Sequence, residues 1–259
     1  PKVVLVKDFP AATKTPRKRR GFKPKPWSSG WVDLEFDPVM RLVLNPEWKH
    51  MDDYLEELKT KARTKVKRIL KCSEGCRLEL LDYAGMQANI ELLHSLYLQV
   101  YAEASFRLGA LSPEDLLAAK RHWGDDFKVQ VVWHDDQLVA FQCGYLTSKT
   151  VEAFFVGFNR ELNKDLSLYQ RMLIEFIQWG IEAQKEEVAM GRTALDIKSS
   201  VGAAPERWLC SVQFQNQILQ WGTALASRQT APSSVSLKQP WKSTAIPLKL
   251  AGVVKEDWV

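Results

Sequence analysis

The 259-residue chain has no long apolar run, few cysteines and few histidines. Its apolar stretches, such as Val129 to Trp133, are interrupted by polar residues and stay well short of the ~18 residues that a membrane-spanning helix needs. No signal-peptide pattern opens the chain. With 46% hydrophobic and 26% charged residues, the composition excludes a mostly disordered protein and is typical of one large or two small soluble domains.

The four cysteines and four histidines are too scattered to predict a metal centre or a disulfide framework. Cys72 and Cys76 form a single C-x3-C pair with no second Cys or His pair nearby, so we predict no zinc site. Reduced thiols and a cytoplasmic location are the matching expectations. No Ser/His/Asp or phosphate-loop spacing is present, so the sequence does not indicate a catalytic-triad hydrolase or a P-loop protein.

The basic character of the chain is local. Residues 1–26 hold nine of the 36 Lys and Arg residues and one of the 31 acidic residues, a net charge of +8 that leaves −3 for the other 233 residues. The cluster at 14–25 contains Pro and Gly and no packed element is predicted there, so it is read as a solvated loop or as a phosphate-binding segment. Residues 1–6 form a predicted strand.

A second basic segment has helical spacing. Apolar residues at steps of three and four predict one helix from Met51 to Leu70. Between Lys59 and Lys71 its other face carries seven Lys and Arg residues and no acid. Seven unrelieved positive charges exceed what solubility requires, so an anionic partner is the alternative to a solvated face.

The rest of the chain alternates strands and helices in a regular order. Two short strands around Asp37 and Pro38 are followed, after the basic helix, by a series of predicted elements. These are a strand at 77–83, a helix at 86–106, a helix from Ser112 to Trp123, strands at 127–133, 138–146 and 151–158, a polar loop at 159–165, a helix at 166–187 capped by Asp165, and a strand at 193–197. Residues 207–225 have mixed signals, and the proline-containing tail is predicted to be extended.

This order of elements resembles the GCN-related N-acetyltransferase (GNAT) fold, an α/β (α+β) fold with a mixed, mostly antiparallel sheet flanked by helices. Three segments are similar to the Fem-type branch, which includes peptidoglycan-bridge aminoacyltransferases. They are the helix from Tyr54 to Lys65, the run from Val156 to Tyr169, and Arg192 to Lys198 followed by Gly202 and Ala203. The resemblance covers about two-thirds of the chain and implies an acyl or aminoacyl transferase.

Fem-type members often carry two such domains in tandem. We therefore divide the chain into residues 1–50, a basic segment and linker that is a possible remnant of a first copy, and residues 51–259, the GNAT-like domain with an extended tail. The chain begins at Pro1 and not at Met, which leaves open that it is a fragment.

The resemblance implies a donor site before the long helix, but this segment departs from the family pattern. GNAT enzymes bind the pyrophosphate of acyl-CoA with a glycine-containing loop at a helix N-terminus. Here residues 159–165 contain no glycine, and Asp165 adds negative charge. We expect Asn159, Arg160 and Lys164 to bind the donor in its place, with acyl-CoA as co-substrate and aminoacyl-tRNA as the alternative.

Five residues are candidates for the chemistry of amide formation. Glu152, on the third meander strand, is the candidate general base, and Tyr169 is a candidate proton donor to the leaving group, with Tyr145 a weaker one. Asp196 and Lys198 are two apart on a predicted strand and would share one face, so Lys198 would stabilise an oxyanion and Asp196 would orient it. Each residue has a structural alternative: an exposed strand Glu, a core Tyr and a surface salt bridge.

The predicted function is transfer of an acyl group from acyl-CoA to the amine of a small molecule or peptide. The alternatives are an aminoacyl-tRNA-dependent transferase acting on a cell-wall precursor, with tRNA held by the basic segments, and a non-catalytic binding module on the same fold. No metal is expected. Gly202 and Ala203, just after Lys198, are expected to leave room for a substrate.

Overall fold

The fold was described from a computed structural model. The structure describes residues 3–10, 31–35, 37–103, 109–216, 219, 223 and 237–242. The basic cluster at 14–25 and most of the tail after residue 216 lie outside these residues. No helix in the described part of the chain is long and apolar enough to cross a membrane.

The described elements follow the predicted order closely. The strands are β1 (Val3–Pro10), β2 (Val32–Glu35), β3 (Val39–Val43), β4 (Arg77–Leu80), β5 (Phe127–His134), β6 (Gln137–Leu146), β7 (Thr150–Phe158), β8 (Glu187–Ala189), β9 (Ala204–Glu206) and β10 (Trp208–Phe214). The helices are α1 (Met51–Glu57), α2 (Thr60–Cys72), α3 (Tyr83–Tyr101), α4 (Pro113–Trp123), α5 (Arg160–Leu166), α6 (Leu168–Glu182) and α7 (Leu195–Ser200).

Seven of the strands form one mixed sheet in the order β4-β5-β6-β7-β8-β3-β9. Its only parallel pair in the described residues is β7 with β8; the other neighbours are antiparallel. The meander β5-β6-β7 confirms the prediction from the alternating residues at 127–158. A mostly antiparallel sheet with helices on both faces is the predicted fold class.

Each face of the sheet is covered because side chains alternate along its strands. On β6, Phe141 and Cys143 pack in the apolar core that includes α3 and α4, whereas Ala140 packs with Leu168 and Met172 of α6. Gly157 allows the close approach of α3, since a Cβ there would lie 2.6 Å from the backbone nitrogen of Tyr97.

The three N-terminal strands are divided between the two sheets of the molecule. β3 lies between β8 and β9 in the seven-stranded sheet, while β1, β10 and β2 form a separate three-stranded sheet. The division of the chain at residues 50 and 51 stays a prediction, although β3 comes from its N-terminal side. Of the described strands from residue 77 onward, β10 alone belongs to the smaller sheet.

The predicted single helix from Met51 to Leu70 was wrong. The chain leaves the helical conformation at Leu58, which has φ −78° and ψ 143° and forms a β-bridge with Trp241. Lys59 N–H also donates to the Pro240 carbonyl at 2.7 Å. Leu58 is buried, so pairing with a distant segment replaces the helical hydrogen bonds that the periodic spacing predicted.

The predicted loop at 159–165 was also wrong, because residues 160–166 form α5. Asn159 caps this helix by accepting hydrogen bonds from the N–H groups of Glu161 and Leu162. Asp165 lies inside α5 and does not cap α6; the N-cap of α6 is Ser167, in the left-handed region at φ 54°. Short capped helices are hard to distinguish from polar loops by composition alone.

The predicted strand at 193–197 was wrong as well. The strand at this position in the order is β8, and two left-handed residues, Gly191 at φ 76° and Ala194 at φ 54°, turn the chain before α7. Leu195 and Ser199, four residues apart, are both buried. That helical spacing, and not a strand alternation, accounts for the burial in this segment.

Candidate functional site

The sheet opens where β7 and β8 diverge. These strands pair at only three positions, the last being Glu152 with Ala189. Beyond Ala189 the chain stays with β3, since Met190 N–H donates to the Met40 carbonyl at 2.8 Å and Met40 N–H donates to the Gly191 carbonyl at 2.9 Å. β7 meanwhile continues to Phe158 beside β6. Among the described residues, the second half of β7 therefore has no strand on its other edge, and we call this opening the β7–β8 gap.

A β-bulge distorts β7 at the start of the gap. Gly144 pairs with Ala153 and Cys143 pairs with Phe155, so Phe154 has no partner on β6. Bulges re-aim side chains and occur near active sites. Here the bulge leaves the large Phe154 ring 42% exposed.

Lys198, on α7, lies close to Gly191 just after β8 and is almost fully buried. Its relative exposure is 3%, and no described residue accepts a hydrogen bond from it or forms an ion pair with it. A Cβ placed on Gly191, at the end of β8, would lie 3.8 Å from its Nζ. Burial lowers the pKa of Lys198 to about 7. Burying an amine that has no hydrogen-bond partner costs free energy, so this position favours binding of an anionic or polar ligand group.

Asp196 does not accompany Lys198. In a strand the two side chains would share a face, but in helix α7 they are about 200° apart. Asp196 is exposed and forms an ion pair with Lys238 at 2.9 Å. The predicted orientation of Lys198 by Asp196 is therefore wrong.

Glu152 lies at the last paired position of β7, on the edge of the gap. Its side chain is 42% exposed and one carboxylate oxygen lies 3.9 Å from Arg41. Burial raises the pKa of Glu152; Arg41 lowers it, and the charges of Glu187 and Glu206 raise it. A carboxylate with a raised pKa that is still partly open to solvent can accept a proton from an incoming amine.

Arg41 was missed in the sequence, although its place among alternating apolar residues of a strand was the available signal. It forms ion pairs with Glu187 and with Glu206, the latter at 2.7 Å, and its guanidinium lies 5.0 Å from the Trp208 ring centroid. Three carboxylates around one guanidinium leave this face of the sheet with an excess of negative charge.

Aromatic rings lie next to Glu152 on the same face. Tyr145 is its cross-strand partner, and the Tyr145 ring lies 5.2 Å from that of Phe154 and 5.5 Å from that of Trp123. Trp123 is 52% exposed. Burial is the largest cause that raises the pKa of Tyr145. Trp123 and Phe154 could not be found from the sequence, because a bulge and the end of α4 bring them together.

Tyr169 occupies the first turn of α6. Its ring lies 5.9 Å from that of Phe158, at the far end of β7, and packs against the apolar core. Burial raises the pKa of Tyr169 to about 12, so its hydroxyl stays protonated at neutral pH. Through its contact with Phe158, Tyr169 lies at the other end of β7 from Glu152.

The chain itself occupies the start of α6. The Asn163 side chain accepts a hydrogen bond from the N–H of Tyr169 at 2.9 Å, and the Asn159 side chain is committed to capping α5. Arg160 faces Glu103 at 3.4 Å, and Lys164 is exposed. The predicted donor residues Asn159, Arg160 and Lys164 thus lie close together, but two of the three already have partners within the chain.

The basic face of α2 has the opposite character. Six cations lie on this helix: Lys61, Arg63, Lys65, Lys67, Arg68 and Lys71. Within the described residues none of them has an acidic partner. Lys65 donates to the Ser200 hydroxyl of α7 at 2.8 Å, and its pKa is lowered by burial and by the charge of Lys238.

Gly202 does not leave room for a substrate as expected. Its φ is 102°, and the Trp241 indole fills the space beside it, since a Cβ on Gly202 would lie 2.1 Å from the Trp241 ring. Trp241 also donates to the Gly202 carbonyl at 3.2 Å. The glycine therefore serves the docking of the segment at 237–242.

All four cysteines are free. No group of three or more His, Cys, Asp or Glu side chains that could hold a metal was found among the described residues. The absence of a metal cofactor stays a prediction.

The described sheet is mostly antiparallel and opens between its parallel strands β7 and β8. Residues 57–199, more than half of the chain, match the family described as the acetyltransferase (GNAT) domain. The chain therefore belongs to the GNAT family. No curated protein matches its sequence.

Solved structures extend the likeness at the level of the fold. L-PGS from Bacillus licheniformis has 14% sequence identity and a TM-score of 0.50, over 77% of this chain and 67% of its own. The C-terminal domain of a protein described as a lysylphosphatidylglycerol synthetase from Agrobacterium fabrum has the same identity, TM-score and coverage of this chain, with 66% of its own length. FemX has 12% identity and a TM-score of 0.52, over 72% and 63%.

These likenesses confirm the GNAT-like fold. This chain spans about two-thirds of the length of these structures or slightly less. At such low identity the fold alone is shared, and the substrates of these proteins are not carried over.

Proposed function

We propose that the chain is an N-acyltransferase that moves an acyl group from acyl-CoA to an amine within the β7–β8 gap. The observation that carries this proposal is the opening of the sheet after Glu152 and Ala189. Lys198, buried on α7 near Gly191, provides the candidate cation. GNAT domains generally use acyl-CoA as co-substrate, which supports this donor.

Glu152 removes the first proton. An acceptor amine arrives as an ammonium ion and must lose a proton before it can attack. The raised pKa of Glu152 brings its basicity closer to that needed at neutral pH, and the exposed part of its side chain lets the proton pass on to solvent.

Lys198 then stabilises the intermediate. The amine nitrogen forms a bond to the thioester carbonyl carbon, and the carbonyl electron pair moves onto oxygen. The protonated Lys198 ammonium provides a positive charge with little surrounding water, where an oxyanion gains more stabilisation than at the surface. When the oxyanion collapses, the C–S bond breaks and the thiolate leaves.

The second amine proton ends on the thiol, giving an amide and free CoA. Lys198 can relay this proton, because its pKa of about 7 lies below the usual ~8.5 of a thiol. Tyr169, with its pKa raised to about 12, is a weaker acid for this step and serves as a wall of the gap.

The face around Glu152 supports a positively charged acceptor. Glu152, Glu187 and Glu206 outnumber Arg41, and the rings of Tyr145 and Phe154 lie alongside. Carboxylates together with exposed rings attract ammonium groups through ion pairing and cation–π contacts. An amine on a small molecule or peptide fits this environment.

Two further candidates each rest on one observation. The cations of α2 that lack acidic partners favour aminoacyl-tRNA as the donor. The occupied start of α6 favours a binding module without catalysis, because the usual phosphate-binding N–H groups are partly used within the chain.

The test incubates the full chain with acetyl-CoA, with longer acyl-CoAs and with aminoacyl-tRNA, each with a panel of amines. Free thiol and N-acylated product, detected by mass spectrometry, are expected with an acyl-CoA. Product with aminoacyl-tRNA alone would establish the second candidate. Donor binding without product from any amine would support the non-catalytic binding module.

A further inference from the structure

One cation of α2 contacts α7, and two further cations lie near it. Lys65 donates to Ser200, which lies two residues after Lys198. Arg68 and Lys238 lie close enough to Lys65 for their charges to lower its pKa. We call Lys65, Arg68 and Lys238 the α2–α7 cation cluster.

The position of Lys238 is fixed by the segment that carries it. Its backbone N–H donates to the Ser199 hydroxyl at 3.0 Å. Trp241 packs against Gly202 and stacks on Trp48, with ring centroids 6.0 Å apart. Lys59 Nζ also donates to the Gln239 carbonyl at 3.0 Å. The contacts of this segment with Ser199, Gly202 and Lys59 thus hold Lys238 in the cluster.

Three like charges held together repel one another, and the carboxylate of Asp196 is the one acid that the described residues place among them. Such an arrangement is unfavourable in the free protein and becomes favourable when an anion binds. A phosphate offers several charged oxygens that accept hydrogen bonds from Lys and Arg.

The usual place for donor phosphates in this fold is less suitable here. The N–H of Tyr169 at the start of α6 already donates to Asn163, and Arg160 already faces Glu103. The α2–α7 cation cluster, in contrast, contacts the short helix that carries Lys198, because Lys65 donates to Ser200 of α7. α2 itself is about 20 Å long at ~1.5 Å per residue, which is a sufficient surface for an extended, multiply charged donor arm.

We infer that the phosphate groups of the acyl donor bind to Lys65, Arg68 and Lys238 between α2 and α7, and not at the start of α6. This inference rests on the proposed transferase function, because it assigns the binding site of that reaction's donor. Phosphate esters occur both in CoA and at the acceptor end of a tRNA, and the experiment separates these two sources.

The test measures the affinity of the full chain for CoA and for uncharged tRNA by isothermal titration calorimetry, without turnover. We expect Lys65→Gln and Lys238→Gln each to weaken binding of the donor by about tenfold. Gln at position 65 can still donate to Ser200, so the structural contact is kept while the charge is removed. Circular dichroism checks that each variant is folded.

Matched controls carry the same charge change elsewhere. Lys67→Gln removes a cation from α2 at a position about 200° around the helix from Lys65, and Lys164→Gln removes one from α5. Both are expected to change the affinity by less than about twofold, the range of an exposed charge. Asp196→Asn, which removes the carboxylate beside Lys238, is expected to strengthen binding a few-fold.

The outcomes separate the inference from the proposed function. CoA binding that is weakened at 65 and 238 but not at 67 or 164 supports both. The same pattern with tRNA alone supports the site but overturns acyl-CoA as donor. Equal effects at 65 and 67, or a larger effect at 164, overturn the site while the donor stands. Binding of neither ligand overturns both.

Discussion

The start of α6 and the α2–α7 surface both carry positive charge, but the described residues place no acidic partner on the cations of α2 itself, although Lys238 beside them pairs with Asp196. At the start of α6, Asn163 accepts from the N–H of Tyr169 and Glu103 faces Arg160. On α2, six cations have no acidic partner in the described residues. The difference teaches that a basic residue near a helix start is a poor guide to an anion site until its partners are known.

The buried Lys198 lies next to the second region. Lys198 belongs to α7, and Ser200 of the same helix accepts the hydrogen bond from Lys65. Chemistry and donor binding would then be linked through one short helix. The following predictions test whether this region, and not the α5–α6 junction, determines activity.

The largest effect is expected from Lys198→Met, which keeps most of the apolar stem and removes the charge. Loss of the oxyanion-stabilising cation should lower turnover by ~10²-fold or more. Steady-state kinetics with the best acyl donor measures this. Tyr169→Phe, on the α6 side of the gap, is the control and should have a much smaller effect. Near-normal turnover in Lys198→Met would show that Lys198 of α7 has no catalytic role.

The pH profile gives a second readout of Lys198. If the protonated amine is needed, kcat should fall as pH rises through about 7, the pKa of Lys198. Lys198→Arg stays charged across this range, so its activity should be partly restored and should lack this decline. A decline of the same size in Lys198→Arg would assign it to another group.

The same burial predicts a stability change. The pKa of Lys198 is lower in the folded chain, so the unfolded chain binds more protons between about pH 7 and pH 10.5, and stability from this group rises with pH over that window. Lys198→Met should therefore stabilise the protein at pH 7, on the order of a few kcal/mol. Urea unfolding at pH 7 and pH 9 measures this, and an unchanged pH dependence in the variant would contradict it.

A smaller effect is expected at the edge of the gap. Glu152→Gln removes the base but leaves Arg41 its two other acidic partners, so folding should be kept. We expect kcat/KM to fall by ~10²-fold with an ammonium acceptor. Donor affinity, measured without acceptor, should not change. A loss of donor affinity equal to the loss of turnover would place Glu152 in donor binding.

The smallest effect is expected at the α5–α6 junction. Asn163→Ala removes the acceptor for the Tyr169 N–H and should cost about 1 kcal/mol, as for other helix caps. Thermal unfolding should show a decrease in Tm of roughly 2–4 °C. CoA affinity should stay within twofold of the parent. If the variant binds CoA more tightly, the freed N–H group is part of the donor site.

Several elements could be predicted because their signals are local. The alternation at 127–158 and the turn at 135 and 136 produced the meander, and Ser112 with Pro113 marked the start of α4. The site was harder. Glu152 could be identified from its strand, but Arg41 beside it comes from β3, which is 111 residues earlier in the chain.

Two of the wrong predictions, the single helix at 51–70 and the strand at 193–197, failed because the local pattern was overridden. Leu58 pairs with Trp241, and Gly191 and Ala194 turn the chain before α7. At Leu58 a contact with a distant segment overrode the local pattern. Before α7 it was overridden by two residues in the left-handed region, where no turn was predicted from the sequence. Lys198 was selected as a strand residue, and its burial is a consequence of the helix that replaced that strand.

The sequence by itself determined the GNAT-like order of strands and helices and the uninterrupted positive face of α2. Both follow from the spacing of apolar and charged residues, which acts over a few neighbours. Only the tertiary structure decided that β8 leaves β7 after Ala189, that Lys198 is buried without a partner, and that Asn163 occupies the start of α6. These depend on which distant backbone groups find hydrogen-bond partners, and burial makes each such pairing energetically decisive.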